Sequence, residues 1–290
     1  MNRRNLLKGA ALGAMALAIA PRLHASQLIR AATRLADMER EHGGRLGVAV
    51  LDTGSGYRVA HRGDERFLMC STFKLLLAAT LLSRVDDGRE WIGRRIVFGK
   101  DALLEYAPIT KQHVGPPGMT IAELCEAAIT LSDNTAANLL LREIGGPSVV
   151  TAYARSLGDT STRLDRIEPF LNRLDGDRDT TTPRSMLADM QKLLLGDALS
   201  EASRRQLTNW LVGCQTGLQS LRAGFPAGWR IGDKTGQWDG QGIGVNNDVA
   251  IVWPPRRKPL LVTAYYMTHT TDVASRKHVL EEVGRIVASS

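Results

Sequence analysis

The sequence predicts an α+β fold: one antiparallel sheet built from both ends of the chain and covered by helices, with an all-α segment inserted and a cleft between the two bodies. Three observations predict it. Strand patterns are confined to residues 46–61 and 229–267, the residues between them read as helical, and an amphipathic helical pattern stands before the first strand and after the last. The implied division is an α/β domain of residues 26–61 and 216–290 and an all-α domain of residues 62–215, behind a leader of residues 1–25.

Each element has a local reason. Residues 26–42 space Leu28, Ala31, Ala32, Leu35 and Met38 along one helical face, and Gly43-Gly44 stops the helix. Leu46–Leu51 is an unbroken apolar run, as a buried strand requires. The turn residues Thr53-Gly54-Ser55-Gly56 and the run Tyr57–His61 complete a hairpin. Helical spacing predicts helices over 71–85, 120–130, 134–144, 147–156, 183–195 and 200–211. Strands follow at Trp229–Thr235, Asp248–Trp253 and Leu260–Met267, the last two joined through Pro254-Pro255-Arg256-Arg257-Lys258-Pro259. A final helix over 271–288 places Val273, Val279, Leu280, Val283 and Ile286 on one face.

The first 25 residues read as an export signal. Arg3-Arg4-Asn5-Leu6-Leu7-Lys8 precedes an apolar run from Gly9 to Ala20, too short to span a membrane, and Ala25 is a small residue at a cleavage point. The paired arginines point to the twin-arginine route. No later stretch is long and apolar enough for a membrane span, so the processed chain is expected outside the cytoplasm and free of the membrane.

Composition removes other classes. The chain of 290 residues is 43% apolar and 23% charged, which excludes disorder and fibrous repeats. The net charge of +7 falls to +3 once Arg3, Arg4, Lys8 and Arg22 leave with the leader, too little for a nucleic-acid-binding face. Cys70, Cys125 and Cys214 are too few for a disulfide framework and read as buried thiols. The six histidines lack metal-binding spacing, so neither metal nor cofactor is expected.

Three motifs carry chemistry. In Ser71-Thr72-Phe73-Lys74 the serine and lysine lie one helical turn apart, so the amine can reach a hydroxyl that needs a base to become nucleophilic. Ser132-Asp133-Asn134 sits between two helices, and Lys234-Thr235-Gly236 ends a strand. Each alone has a plain structural reading as a helix cap or strand edge; all three in this order are rare at about 10⁻³ or below by composition.

Together they resemble the class A serine β-lactamases and the related penicillin-binding proteins. Glu168-Pro169-Phe170-Leu171-Asn172 is similar to the class A segment bearing the deacylating glutamate, which transpeptidases lack. A peptidase that acylates without turnover is thereby disfavoured. The intact motif set speaks against a non-catalytic receptor. The resemblance implies hydrolysis of the β-lactam ring of penicillins and cephalosporins through a serine acyl-enzyme, hence antibiotic resistance. It also implies a small-molecule partner, a monomer and a periplasmic location, or secretion where the host has no outer membrane.

It assigns Ser71 as nucleophile and Lys74 and Glu168 as sharing the acylation base role. Glu168 is the base for the deacylating water, held with Asn172, and Ser132 is a proton relay. Asn134 becomes the partner of the substrate's side-chain amide. Lys234, Thr235, Gly236 and Gln237 become the wall that meets the substrate carboxylate and, through the N–H groups of Ser71 and Gln237, its oxyanion. Tyr106 becomes the ring at the cleft mouth, and Arg166 with Asp179 the clasp of the Glu168 loop.

There are departures. The Glu168–Asp179 segment is two residues shorter than is usual in the family, and Gln237–Asp248 reads as a slightly long, glycine-rich hairpin tip. Cys70 lacks the partner cysteine found in class A carbapenemases. The positions that supply a carboxylate-binding arginine hold Ser220 and Asn246, with Arg222 reading as a structural partner of Asp233. The carboxylate then falls to Lys234, Thr235, Ser132 and Gln237.

Overall fold

The computed structural model describes residues 30–290; the export signal of residues 1–25 and the first residues of the predicted N-terminal helix lie outside them. Helix α1 covers 30–42 and leads into β1 (Arg45–Asp52) and β2 (Arg58–His61). Six longer helices follow: α2 (Phe73–Asp86), α3 (Ile121–Thr130), α4 (Asn134–Ile144), α5 (Pro147–Ser156), α6 (Pro183–Leu194) and α7 (Glu201–Val212). The chain then returns to the sheet with β3 (Arg230–Gly240), β4 (Ile243–Trp253) and β5 (Leu260–Thr268), and ends in α8 (Val273–Ala288).

The sheet order is β2-β1-β5-β4-β3, antiparallel throughout, so the two N-terminal strands and the three C-terminal strands meet at the β1–β5 pair in one sheet, as predicted. Both faces of its central strands are covered, which explains the unbroken apolar runs. On β5, Leu260, Val262, Ala264 and Tyr266 join Leu35 and Met38 of α1 and Leu280 and Val283 of α8. Leu261 and Tyr265 point the other way, into a core shared with α2, α3, α4, α6 and α7. Helix α2 is apolar all round and lies at the centre of that second core, buried from Phe73 to Leu82.

Two expectations need correction. The helix predicted from residue 71 begins as a 3₁₀ turn, Cys70–Thr72, entered at a left-handed φ of +43° on Cys70, and becomes α-helical only at Phe73, because Thr72 N closes onto Met69 O three residues back (3.2 Å). The segment Gln237–Asp248 is not a long tip: β3 and β4 stay in register to Gly240 and Ile243, leaving Gln241-Gly242, both at positive φ, as a two-residue turn. Glycine-rich strands lack the apolar alternation that sequence reading depends on.

At the junction of α1, β1 and β2, Glu39 is nearly buried and accepts hydrogen bonds from Leu46 N (2.9 Å), from Arg62 through Nε (2.7 Å) and Nη2 (2.6 Å), and pairs with His61 (3.0 Å). Burial opposes its ionisation, but these donors prevail and hold the carboxyl at about 2, below its ordinary 4.5. A lowered carboxylate pKa contributes stability above the unfolded value and loses it as pH falls through the folded one. Glu39→Gln should therefore lower the thermal midpoint at about pH 7, and the gap to wild type should close as pH falls from about 4.5 towards about 2.

Candidate active site

The position of Ser71 is set by the strained turn before α2. Thr72 Oγ1 donates to Met69 O (2.8 Å), and Asn247 Nδ2, reaching across from β4, donates to Leu68 O (2.8 Å) and Met69 O (3.0 Å). Held this way, Ser71 lines a cleft of about 660 Å³. Lys74 lies beneath it, and its Nζ donates to Ser71 Oγ at 3.0 Å.

Lys74 is fully buried. Its ammonium also meets Asn134 Oδ1 (2.6 Å), Ser132 O (2.9 Å), Glu168 Oε1 (3.2 Å) and, more distantly, Ser132 Oγ (3.4 Å). Burial lowers its pKa, and the Glu168 carboxylate works in the opposite direction. The hydroxyl of Ser71 in turn reaches Glu168 Oε1 at 3.3 Å. Serine, lysine and glutamate thus form one closed contact set.

Ser132 adopts a left-handed φ of +58° between α3 and α4, which turns its carbonyl and hydroxyl toward Lys74. Asp133 points the other way. It caps α4 through Ala136 N (2.9 Å) and accepts from the N–H groups of Ile109 (3.0 Å) and Thr110 (2.9 Å). Those contacts anchor the loop bearing Tyr106, whose carbonyl accepts from Asn134 N (3.1 Å) and whose half-exposed ring lines the cleft.

The facing wall is β3. Lys234 is fully buried, and its Nζ donates to Ser132 Oγ (3.1 Å) and Thr235 O (2.8 Å). Burial, with the Lys74 ammonium adding to it, pushes its pKa down to about 8. Thr235 Oγ1 shares a hydrogen bond with Thr216 Oγ1 (2.5 Å). A Cβ at position 236 would lie 2.8 Å from Met69 O and 3.2 Å from Ser71 N, so Gly236 is what lets the strand pass against the turn that bears Ser71. Gln237 and Trp238 continue the wall.

The third wall is the loop between α5 and α6. Asn172 Nδ2 donates to Glu168 Oε2 (2.8 Å), and Asn138 holds the Glu168 backbone at two points, accepting from Glu168 N (3.0 Å) and donating to Glu168 O (2.9 Å). Arg166 Nε donates to buried Asp179 Oδ2 (2.6 Å), while Asp179 Oδ1 accepts from the N–H groups of Asp165 (2.7 Å) and Arg166 (2.9 Å).

All eleven residues expected at the site line this cleft or contact those that do. Three further residues were not singled out for a role there. Asn138 follows Asn134 by four positions on α4, a spacing that puts both on one face. Thr216 supports Thr235. Arg276 on α8 is fully buried and engaged by Asn246 Oδ1 (2.7 Å), Thr270 O (2.8 Å) and Asp239 (2.6 Å), a pairing that no local pattern reveals. Arg222 pairs with Asp233 as expected. Cys70, Cys125 and Cys214 are buried free thiols. Among the described residues no cluster of three metal-binding side chains occurs, and no helix is long and apolar enough to cross a membrane.

Residues 30–290 match the model of the beta-lactamase enzyme family. The chain is 46% identical over 280 residues to beta-lactamase OXY-1 of Klebsiella oxytoca, covering 94% of this chain and 95% of that protein. It is 47% identical to beta-lactamase L2 of Stenotrophomonas maltophilia, covering 89% and 85%. Among solved structures, the ancestral (GNCA) class A beta-lactamase superposes with a TM-score of 0.86 at 58% identity, over 89% of this chain and 99% of that one.

The clasp generates a prediction. Asp179→Asn leaves the Arg166 guanidinium facing a neutral group, which should cost about 3 kcal/mol of stability. Combining it with Arg166→Leu should cost less than the sum of the single changes, by about 1 kcal/mol in a denaturant-unfolding cycle. Plain additivity would show that the pair does not couple.

Proposed function

The chain belongs to the class A β-lactamases, and on that premise we propose that it opens the β-lactam ring of penicillins and cephalosporins by the following division of labour. Ser71 Oγ attacks the lactam carbonyl carbon. Its proton leaves through the Lys74–Glu168 pair, and the N–H groups of Ser71 and Gln237 receive the oxyanion. The carbon–nitrogen bond breaks as Ser132 passes a proton to the departing nitrogen. Glu168 then takes a proton from a water positioned with Asn172. That water attacks the ester carbonyl, and Ser71 regains its proton as the product acid leaves.

The observation that carries this reading is the closed contact set of Ser71, Lys74 and Glu168, with Asn172 on the second carboxylate oxygen. One carboxylate reaches both the hydroxyl that attacks first and the space from which water attacks second. Asn134 faces the substrate's side-chain amide and Tyr106 its outer edge. Lys234, Thr235, Gln237 and Ser132 hold its carboxylate, and Gly236 gives them room. No arginine is assigned to that anion, since the Arg276 guanidinium is spent on Asn246, Thr270 and Asp239.

The same reading takes residues 26–61 with 216–290 as one body and 62–215 as the other, supported by the cleft lying between β3 on one side and α2, α4 and the Glu168 loop on the other. It takes the enzyme as a monomer, supported by a cleft that one chain completes. Export to the periplasm is supported by the arginine-led apolar leader.

Two measurements test the assignment. Glu168→Ala should still acylate but accumulate a covalent penicilloyl adduct on Ser71, visible by intact mass; an adduct cleared as fast as in wild type removes Glu168 from deacylation. Lys234 should be protonated to bind the carboxylate, so kcat/KM should fall as pH rises through about 8, where the free enzyme loses that proton. Lys234→Arg should move this alkaline limb upward by more than about one pH unit, because a guanidinium stays charged. An unmoved limb would assign it to another group.

A further inference from the structure

Away from the cleft, two carboxyl groups meet under the entry to the loop that carries Glu168. Asp189 lies on α6 and is 1% exposed; Asp159 follows α5 and is 6% exposed. Asp159 Oδ1 accepts from the N–H groups of Ser161 (2.6 Å) and Thr162 (3.0 Å). The Oδ2 atoms of both residues are buried and meet no N–H or O–H donor among the described residues. Each carboxyl instead acts on the other's ionisation. Ionised carboxylates only accept, so the two can bond only through a proton, and two bare charges side by side out of water would repel.

The groups around the pair do not neutralise it. Arg155 on α5 and Lys192 on α6 act on Asp189 at range, but their hydrogen bonds go to the carbonyls of Asp159 and Leu157. Tyr153 on α5 and Tyr265 on β5 face it as neutral phenols, and Asp86 and Asp87 at the end of α2 add only negative charge near Tyr153. Arg66, before α2, donates to Ser161 O (2.7 Å) and Thr180 Oγ1 (3.0 Å) rather than to either carboxyl.

We propose that one proton is shared by this pair and resides on Asp189, that its hydroxyl donates to the Asp159 carboxylate, and that this bond ties the entry of the Glu168 loop to α6. Asp189 is then a positioning residue for deacylation, a role that rests on the reading of Glu168 given above. The placement of the proton follows from the donors: the backbone N–H groups on Asp159 favour its charged form, and its pKa is lowered despite burial. Asp189 has no such donors; burial, with the charge of Asp159 adding to it, raises it to about 9. The tie reaches the far end of the loop, because Thr162 Oγ1 bonds Thr181 Oγ1 (2.6 Å) and Arg163 N donates to Thr180 O (3.0 Å).

An acid whose folded pKa is raised contributes stability that is complete below its unfolded value, near 3.8, and is lost as pH climbs to about 9. Asp189→Asn keeps the shape and an N–H donor but cannot ionise. In denaturant unfolding from about pH 5 to about pH 8, the unfolding constant of wild type relative to D189N should rise about tenfold per pH unit. Wild type itself, at neutral pH, should show the infrared carbonyl stretch of a protonated carboxylic acid, absent from D189N. Above about pH 9 the Ser71 acyl-enzyme formed with a penicillin should accumulate in wild type as the loop entry loosens, and D189N should lack this rise.

A pH-independent stability difference, or no protonated-acid band in wild type, overturns the shared proton. Equal alkaline accumulation in both proteins overturns the positioning role. The infrared and unfolding results do not involve Glu168, so a failed Glu168→Ala experiment would be distinguishable from a failure here.

Discussion

A fully buried ammonium, that of Lys74, is the constraint on which the site depends. Taking such a charge out of water costs several kcal/mol unless the protein replaces the lost hydration with well-placed acceptors. Here the acceptors come from four places: the 3₁₀ turn with Ser71, the left-handed turn with Ser132, the start of α4 with Asn134 and the loop with Glu168. One charge therefore draws three otherwise separate segments to a point: the Ser71 turn, the Ser132–Asn134 turn and the Glu168 loop. The strained φ angles at Cys70 and Ser132 are the local cost of aiming those oxygens inward, and Asn247 and the carbonyl of Ser132 offset it.

The Glu168 loop shows the same logic at lower charge. It has little regular structure, yet it holds one carboxylate oxygen 3.3 Å from Ser71 Oγ and 3.2 Å from Lys74 Nζ. Its order comes from polar tethers at three levels: Asn138 on the backbone of Glu168, Arg166 with Asp179 across the base, and the hydrogen bonds that fix Ser161 and Thr162 at the entry. Exposed Ile167, Phe170 and Leu174 show how little apolar burial supports it. A segment fastened by polar groups can be accurate without being heavily packed, but each tether depends on the charge state of its partners.

Much of this was legible in the chain. The order of helices and strands followed from apolar spacing, because the long amphipathic or fully buried elements dominate a fold of this size. Nine of the eleven residues expected at the site stand out because three short motifs and the Glu168–Asn172 segment keep them in characteristic local order, while Gln237 and Tyr106 follow only from the resemblance. What escaped was set by distant partners. Arg276 reads as an ordinary helix cation until Asp239 and Asn246, some 30 residues away or more, meet it in the interior. The burial of Asp189 on α6 has no local signal, since nothing nearby announces Asp159. The 3₁₀ start at Cys70 depends on a hydrogen bond from Asn247 on another strand, and no window of sequence contains both.

The sheet order carries a consequence for the life of the chain on the ribosome. Strand β1 pairs along its whole length with β5, from Arg45 opposite Met267 to Asp52 opposite Leu260, and α1 packs beside the last helix. The strand made first thus finds its main hydrogen-bonding neighbour only when almost all of the polypeptide has emerged, and until then its apolar residues lack their native cover. A premature stop near residue 258 would remove only the last tenth or so of the sequence, yet it would strip β1 of its β5 partner and expose both faces of the sheet's centre. In this molecule the tail is a structural keystone, and synthesis must finish before the native state exists at all.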